Sequence, residues 1–451
     1  MEITAALAIS FLLLVTSVYK GIFLAYPLTA VIILFFIIAN RRGFGFKDVF
    51  KMAWRGGKKS FVVIKIFVLI GALVPIWTAA GTVPAIVYYG IELIKPDLFI
   101  LCAFLISCMV SFLIGTSMGT TGIVGAAMMV MAGSGNVNLA ATAGAVIAGA
   151  FFGDRCSPVS SSASFVAAIT ETSLYDNIRN MFKTAAVPFI IAAAVYLAIS
   201  EIYPLHSSSG SINSLILQQF SVNLIVLVPV LVILIFSTLR VNVKISMLVS
   251  IASALAVSLL VQQETIASCI RYMIFGFSLD PSSPLYSIIK GGGIISLMKT
   301  GLVVFLTSAF AGIIEETNML QSIERITSRA ESREQVYRNV VLTSLFGTMV
   351  GCSQTFAVVL AYVLNKKAYG KNGLDNSVAA VDLENTAIMI SGLVPWSIAL
   401  LAPMTILNIN ASCLPYLIYI YLVPLWNLVY LYLRRRISDN KKSEISAEQA
   451  E

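Results

Sequence analysis

The chain has 451 residues, of which 58% are hydrophobic and only 12% charged, and its mean hydropathy is +0.90. That leaves too little polar surface to cover a water-soluble globule, so the composition predicts an all-α polytopic membrane protein with the lipid bilayer as its surroundings. The net charge of +8 does not imply a nucleic-acid partner: lysines and arginines fall in short segments between apolar runs, where they act as topology signals.

Apolar stretches close to the ~20 residues a helix needs to cross a bilayer recur along the chain, roughly eleven to thirteen of them. The first, 3–19, follows Glu2 rather than a basic region and lacks a small-residue cleavage site, so it is read as a helix and not as a signal peptide. The second is 22–39. Arg41, Arg42, Lys47, Lys51, Arg55, Lys58 and Lys59 then form a basic loop, expected on the cytoplasmic side together with both chain termini. Residues 72–86 are apolar but interrupted by Pro75, Gly81 and Pro84. After the apolar run 98–114 comes Gly115-Thr116-Ser117-Met118-Gly119, followed at once by the hydroxyl pair Thr120-Thr121.

The most informative stretch is 149–172, where small residues run into Gly153-Asp154-Arg155-Cys156-Ser157-Pro158 and then Ser160 and Ser161. Pro158 removes a backbone donor and Gly153 loosens the chain, so the helix is expected to unwind from Gly153. Freed carbonyls, the Asp154 carboxylate and the hydroxyls of Ser157, Ser160 and Ser161 make an all-oxygen cavity suited to a small hard cation. The start of the next half-helix suits an anionic group instead. A structural alternative has Asp154 paired with Arg155 at the membrane boundary, the serines only capping a helix. The functional reading is preferred because intramembrane carboxylates are costly and usually functional.

Further apolar runs are 184–202, 222–239, 245–261 and 297–314. The connection 205–219 lacks lysine and arginine and is expected to face outward. Glu315 and Glu316 interrupt the end of the 297–314 helix, and adjacent helical side chains diverge by about 100°, so one of them, Glu315 for preference, faces the transport path. Arg338 and Lys366 flank 340–364, which places both ends of that stretch in the cytoplasm and predicts a re-entrant helical hairpin. Within it, Gly347-Thr348-Met349-Val350-Gly351 and Ser353-Gln354 echo the Gly115 block and its hydroxyl pair at a lag of 232. Asp382-Leu383-Glu384-Asn385 enters an apolar stretch broken by Gly392 and Pro395-Trp396; Glu384 lies deeper than Asp382, which is read as a helix cap. The base-free 408–412 faces outward, 414–433 is the last helix, and Arg434, Arg435 and Arg436 follow it.

Interruptions at matching places in two halves predict discontinuous helices in two inverted repeats, about 61–203 and 294–433, within a transporter domain 1–437. The polar tail 438–451 is expected to be disordered. The candidate cation- and proton-binding residues are Asp154, Ser157, Ser160, Ser161, Thr121, Glu384, Asn385, Ser353 and Glu315; Gly153, Pro158, Gly392 and Pro395 are the helix breaks. No resident metal or cofactor is expected: six cysteines are scattered without metal spacing, and His206, the single histidine, falls in an outer loop. With no histidine partner for a serine and no GxxxxGK[ST] loop, enzyme and ATP-pump readings are set aside.

Gly81-Thr82-Val83-Pro84, Gly115-Thr116-Ser117, Phe152-Gly153-Asp154 with Ser157-Pro158, and Glu384 eleven residues before Pro395 make the sequence resemble the NhaC-type sodium/proton antiporter family. That family sits in a superfamily that includes malate/lactate exchangers. The resemblance implies a bacterial inner-membrane secondary transporter exchanging Na+ or Li+ for H+ by alternating access, with Asp154 holding either ion; the alternative is proton- or sodium-coupled exchange of a small carboxylate or amino acid. It leaves a homodimer open. This chain departs from the family where an aspartate becomes Ser161 and an acid becomes Asn385, two carboxylates fewer near the site.

Overall fold

The computed structural model describes residues 2–158, 160–205, 209–239, 241–279, 290–291, 293–317 and 327–448, and the described backbone is almost entirely helical. His206 and residues 318–326 lie outside the described residues. Helices α1 (Glu2–Tyr19) and α2 (Ala25–Arg41) pack together and lead into α3 (Phe46–Lys59). α3 occupies what the sequence predicted as a basic loop. Its apolar residues recur at helical spacing, so Val49 and Met52 bury one face while Lys47, Lys51 and Arg55 stand exposed on another.

α4 (Phe61–Ala79) carries Pro75 without ending there. It stops at Gly81, whose φ of +77° suits a residue without Cβ, and α5 (Thr82–Leu93) departs after a bend of 66°. The Gln262 amide donates to the Ala80 carbonyl freed by the break, at 3.2 Å. α6 (Phe99–Ile114) ends on left-handed Gly115, φ +72°. There follow α7 (Ser117–Thr120), a π-helical turn over Thr121–Gly125, and α8 (Ala126–Ser134).

α9 (Leu139–Cys156) runs through the interior, buried on every side from Ala141 to Phe151. Its small residues make this possible, because α6 lies directly against it: a Cβ on Gly153 would sit 2.0 Å from the Ser111 carbonyl carbon. Gly153 therefore serves close packing rather than unwinding. The helix continues past it to Cys156, and the break, with Pro158 in it, comes before α10 (Ser161–Thr170).

α11 (Leu174–Ile202), α12 (Ser209–Gln219), α13 (Val228–Thr238), α14 (Val243–Leu260) and α15 (Ile266–Phe275) complete the first part. Part of the expected outer connection is thus helical in α12. Two-residue strands β1 (Phe277–Ser278) and β2 (Lys290–Gly291) pair antiparallel. Then come α16 (Ile294–Glu316), α17 (Arg333–Gly351), α18 (Gln354–Lys371), α19 (Asn376–Leu383), a π-helical turn over Glu384–Ile388, α20 (Met389–Ser391), α21 (Ile398–Ile406) and α22 (Ile418–Glu448). α17 and α18 pack along each other across the short Cys352-Ser353 joint. Gly392 and Pro395 lie in the break between α20 and α21. α22 runs on to Glu448, through most of the tail predicted to be disordered; after Pro424 it has no Gly or Pro to stop it, and Arg, Lys, Glu and Ala sustain a helix.

Left-handed Gly115 and Cys352 are 237 positions apart. So are Ser160 and Ser397, whose side chains cap α10 and α21, and Pro158 and Pro395 in the preceding breaks. The sequence match of Gly115 with Gly347 is thus displaced by five residues: Gly347 lies inside α17, and the chain turns at Cys352.

Among the described residues, three helical stretches are long and apolar enough to cross a membrane unaided, Pro96–Leu113, Leu174–Ile202 and Ile294–Ile314, and the bent α4–α5 pair makes a fourth. Most of the remaining apolar segments predicted from the sequence occur as shorter or broken helices, because glycine, proline and polar residues divide them.

Candidate functional site

Three chain breaks converge on Asp154, in the last turn of α9 and only 5% exposed. After left-handed Gly115 and extended Thr116, Ser117 opens α7. Its hydroxyl donates to Asp154 Oδ2 at 3.5 Å, and its main-chain N–H also reaches the carboxylate. Left-handed Cys352 and extended Ser353 likewise start α18 at Gln354, whose Nε2 donates to the same Oδ2 at 3.3 Å. From the α9–α10 break comes Ser162, its hydroxyl 3.2 Å from Asp154 Oδ1 and 3.3 Å from Gln354 Oε1. Two helix N-termini thus face one carboxylate, and their dipoles favour negative charge there. Around it stand neutral hydroxyl and amide oxygens, the ligand type a hard cation takes.

Arg155, the next residue, is wholly buried and turns away. It makes no ion pair with Asp154. Its Nη2 donates to the Met181 carbonyl at 3.1 Å, to Thr184 Oγ1 at 3.0 Å and to Asn385 Oδ1, and its Nη1 donates to the Tyr419 hydroxyl at 3.4 Å. Glu384 opens the π-helical turn, is 1% exposed, and receives no hydrogen bond at either carboxylate oxygen. The charges that act on it are Arg155 and Asp154.

The sequence profile of the Na+/H+ antiporter family matches residues 1–163 and 149–433. The chain belongs to the Na+/H+ antiporter family. It is 30% identical over 355 residues, 76% of this chain and 75% of the relative, to a Haemophilus influenzae protein named as an uncharacterized Na+/H+ antiporter. It is 26% identical to the malate-2H+/Na+-lactate antiporter of Bacillus subtilis, across 95% of this chain and 94% of that one. To the Na+/H+ antiporter NhaC of Alkalihalophilus pseudofirmus it is 24% identical, across 90% and 89% respectively. Membership makes the protein a multi-pass membrane transporter of the sodium/proton antiport class.

Within this antiporter the sequence candidates fall into different environments. Ser160 is fully buried; its hydroxyl donates to the Asp154 main-chain carbonyl and accepts from the amides of Ser162 and Ala163 at 3.1 Å. The Ser157 hydroxyl donates to the Phe112 carbonyl at 2.6 Å. Thr121 is turned onto its own helix, 2.9 Å from the Ser117 carbonyl. Ser161 is exposed at the first position of α10 and makes no hydrogen bond to Asp154; its neighbour Ser162 does, because successive helical side chains point in different directions. Ser353 lies in the joint before α18 and does not cap it. Asn385 serves Arg155 and Thr184, not the Asp154 cluster.

Asp382, read from sequence as a helix cap, is instead buried in an ion pair: Arg333 Nη2 lies 2.5 Å from Oδ1, and the Tyr369 hydroxyl donates to Oδ2 at 2.7 Å. α19 begins six residues earlier, at Asn376. Glu316 pairs with Arg55 at 2.7 Å, while the Glu315 side chain lies outside the described residues.

Sequence reasoning passed over Ser117, Ser162 and Gln354. Only Ser117 carried a signal, a glycine two positions before it; Gln354 follows left-handed Cys352 at the same spacing, which the sequence does not mark.

Proposed function

We propose that the protein exchanges Na+, or Li+, for H+ across the bacterial inner membrane by alternating access, and that Asp154 holds either the cation or a proton. The supporting observation is the convergence of Ser117, Ser162 and Gln354 on that single buried carboxylate. A cation on Asp154 takes oxygen from the two serines and from Gln354, whose amide turns over to present Oε1. A proton needs only one carboxylate oxygen. The two ligands exclude each other, and exchange follows from that competition.

The two inverted repeats, about 61–203 and 294–433, supply the moving parts. The shared offset of 237 positions between left-handed residues, capping serines and break prolines supports them. The α17–α18 pair is the re-entrant hairpin of the second repeat, meeting the first repeat at Asp154 through Gln354. Basic residues at 41–59 and 434–436 support cytoplasmic termini. The competing reading, exchange of a small carboxylate or amino acid, draws on the likeness to the malate/lactate antiporter. Against it, the first amides of α10 are already taken by the Ser160 side chain.

The test uses proteoliposomes containing a pH dye. A pulse of external Na+ or Li+ drives proton release from the lumen, whereas malate, lactate and amino acids leave the dye unchanged. In the acidic limit, each pH unit downward weakens apparent sodium affinity by up to about tenfold, as one proton competes with one cation. No response to either cation, or a response to malate alone, sinks the sodium reading.

A further inference from the structure

The amphipathic helix α3 has no role in the exchange site, yet its surface is organised. Phe46, Phe50 and Trp54 are spaced by four residues and are 69%, 59% and 45% exposed. Beside them Lys47, Lys51 and Arg55, also exposed, repeat the same spacing one position on. The helix carries five basic residues against one acid. The opposite face is clamped to α16 so tightly that a Cβ on Gly56 would lie 2.4 Å from the Ser308 carbonyl oxygen. The outward face is therefore held rigidly. A cleft of about 710 Å³ opens on it, lined by Asp48, Phe50, Lys51, Trp54 and Arg55. Lys51 has no ion-pair partner among the described residues, and Arg55 reaches Glu316 while remaining largely exposed.

A rigid helix with adjacent aromatic and basic stripes matches the boundary between acyl chains and phosphates. We propose that the outward face of α3 reaches the headgroup level of the bilayer and that its cleft binds an anionic phospholipid. Lys51 and Arg55 hold the phosphate, and Phe50 and Trp54 contact the glycerol and upper acyl region. Lys and Arg near an anionic leaflet each strengthen association by about fivefold, and Arg55 is shared between the phosphate and Glu316. The proposal rests on the chain being in a bilayer and not on which ion it carries.

The full-length protein in phosphatidylcholine nanodiscs tests this through tryptophan quenching, with Trp54→Phe subtracted to isolate Trp54. Brominated phosphatidylglycerol at low mole fraction quenches Trp54 several-fold more than brominated phosphatidylcholine at the same fraction. The double variant Lys51→Gln/Arg55→Gln abolishes that preference, bringing the two lipids to equal quenching within about twofold. Glu316→Gln raises it by releasing Arg55, an opposite effect that misfolding does not produce. Equal quenching by the two lipids, or a preference unchanged in the double variant, overturns the proposal. So does loss of the preference on adding inorganic phosphate at matched ionic strength, which would make the cleft a free-anion site.

Discussion

Asp154 and Glu384 are both buried carboxylates on interior helices of one membrane protein, yet their surroundings have little in common. Asp154 sits where three breaks meet and receives hydrogen bonds from Ser117, Ser162 and Gln354. Glu384 sits inside a π-helical turn with neither oxygen hydrogen-bonded, and the nearby positive charge is Arg155, whose Nη groups donate to neutral acceptors. A cation can bring Asp154 a neutralising charge while neutral oxygens complete its shell. At Glu384 an incoming cation would meet the Arg155 guanidinium, and no hydroxyl or amide bonded to the carboxylate is in place to coordinate it. On the proposed reading it is the arrangement of neutral oxygens around the carboxylate, and not burial alone, that makes the ion site.

The most severe test of this contrast is Asp154→Asn, which removes the charge and leaves the shape. Sodium-driven proton release in proteoliposomes falls by at least about a hundredfold, the loss expected when one partner of a desolvated charge pair is removed. Size exclusion and the melting temperature stay at wild-type values. Retained exchange in such a folded protein would place the cation elsewhere.

A smaller effect distinguishes neighbours in sequence. Gln354→Ala removes the Oε1 ligand offered to the bound cation, a contact to a charged group worth about 1.5–3 kcal/mol, so sodium affinity measured calorimetrically drops roughly tenfold to a hundredfold. Ser353→Ala, one residue earlier, stays within about twofold because its side chain makes no bond to Asp154. Equal losses in the two would break the geometric argument.

Glu384→Gln sharpens the contrast from the other side. With no hydrogen bond to lose and a nearly identical shape, the variant keeps its stability within about 1 kcal/mol and its sodium affinity within about twofold. The number of protons moved per sodium, read from the reversal potential, decreases if Glu384 carries a proton of its own. A loss of sodium binding as deep as that of Asp154→Asn would make the two carboxylates equivalent ligands.

The smallest change belongs to Ser161→Asp, at the start of α10 and outside the cluster. A negative charge at a helix N-terminus stabilises by about 0.3–1 kcal/mol, so the melting temperature rises slightly while sodium affinity is unchanged. Ser162→Asp, one residue on, adds a second carboxylate against Asp154 and displaces the pH profile of exchange. If Ser161→Asp moves that profile instead, the register of α10 in the transport cycle differs from that described above.

Much of the architecture was legible without coordinates, because lipid permits few backbone solutions. Long apolar runs have to be helices, and glycine, proline and carboxylate interruptions inside them mark where a helix ends and function concentrates. Asp154 stands out on those grounds, as do Gly81 as an interruption and Pro158 and Pro395 as residues of the breaks. Register and partnership were not legible. That Ser162 and not Ser161 meets the carboxylate depends on a rotation of about 100° per residue, fixed by how α10 packs. That the second half turns at Cys352 rather than at a glycine is invisible to composition, since a left-handed cysteine has no sequence signature. That Arg155 bonds to Asn385 and Thr184 instead of Asp154, and that Asp382 pairs with Arg333, was decided by helices brought together from distant parts of the chain. Local sequence marked helix ends at Gly81 and near Pro158 and Pro395; tertiary packing decided the turn at Cys352 and which polar groups meet at the breaks, because a buried charge takes whichever partners the fold places within hydrogen-bond reach.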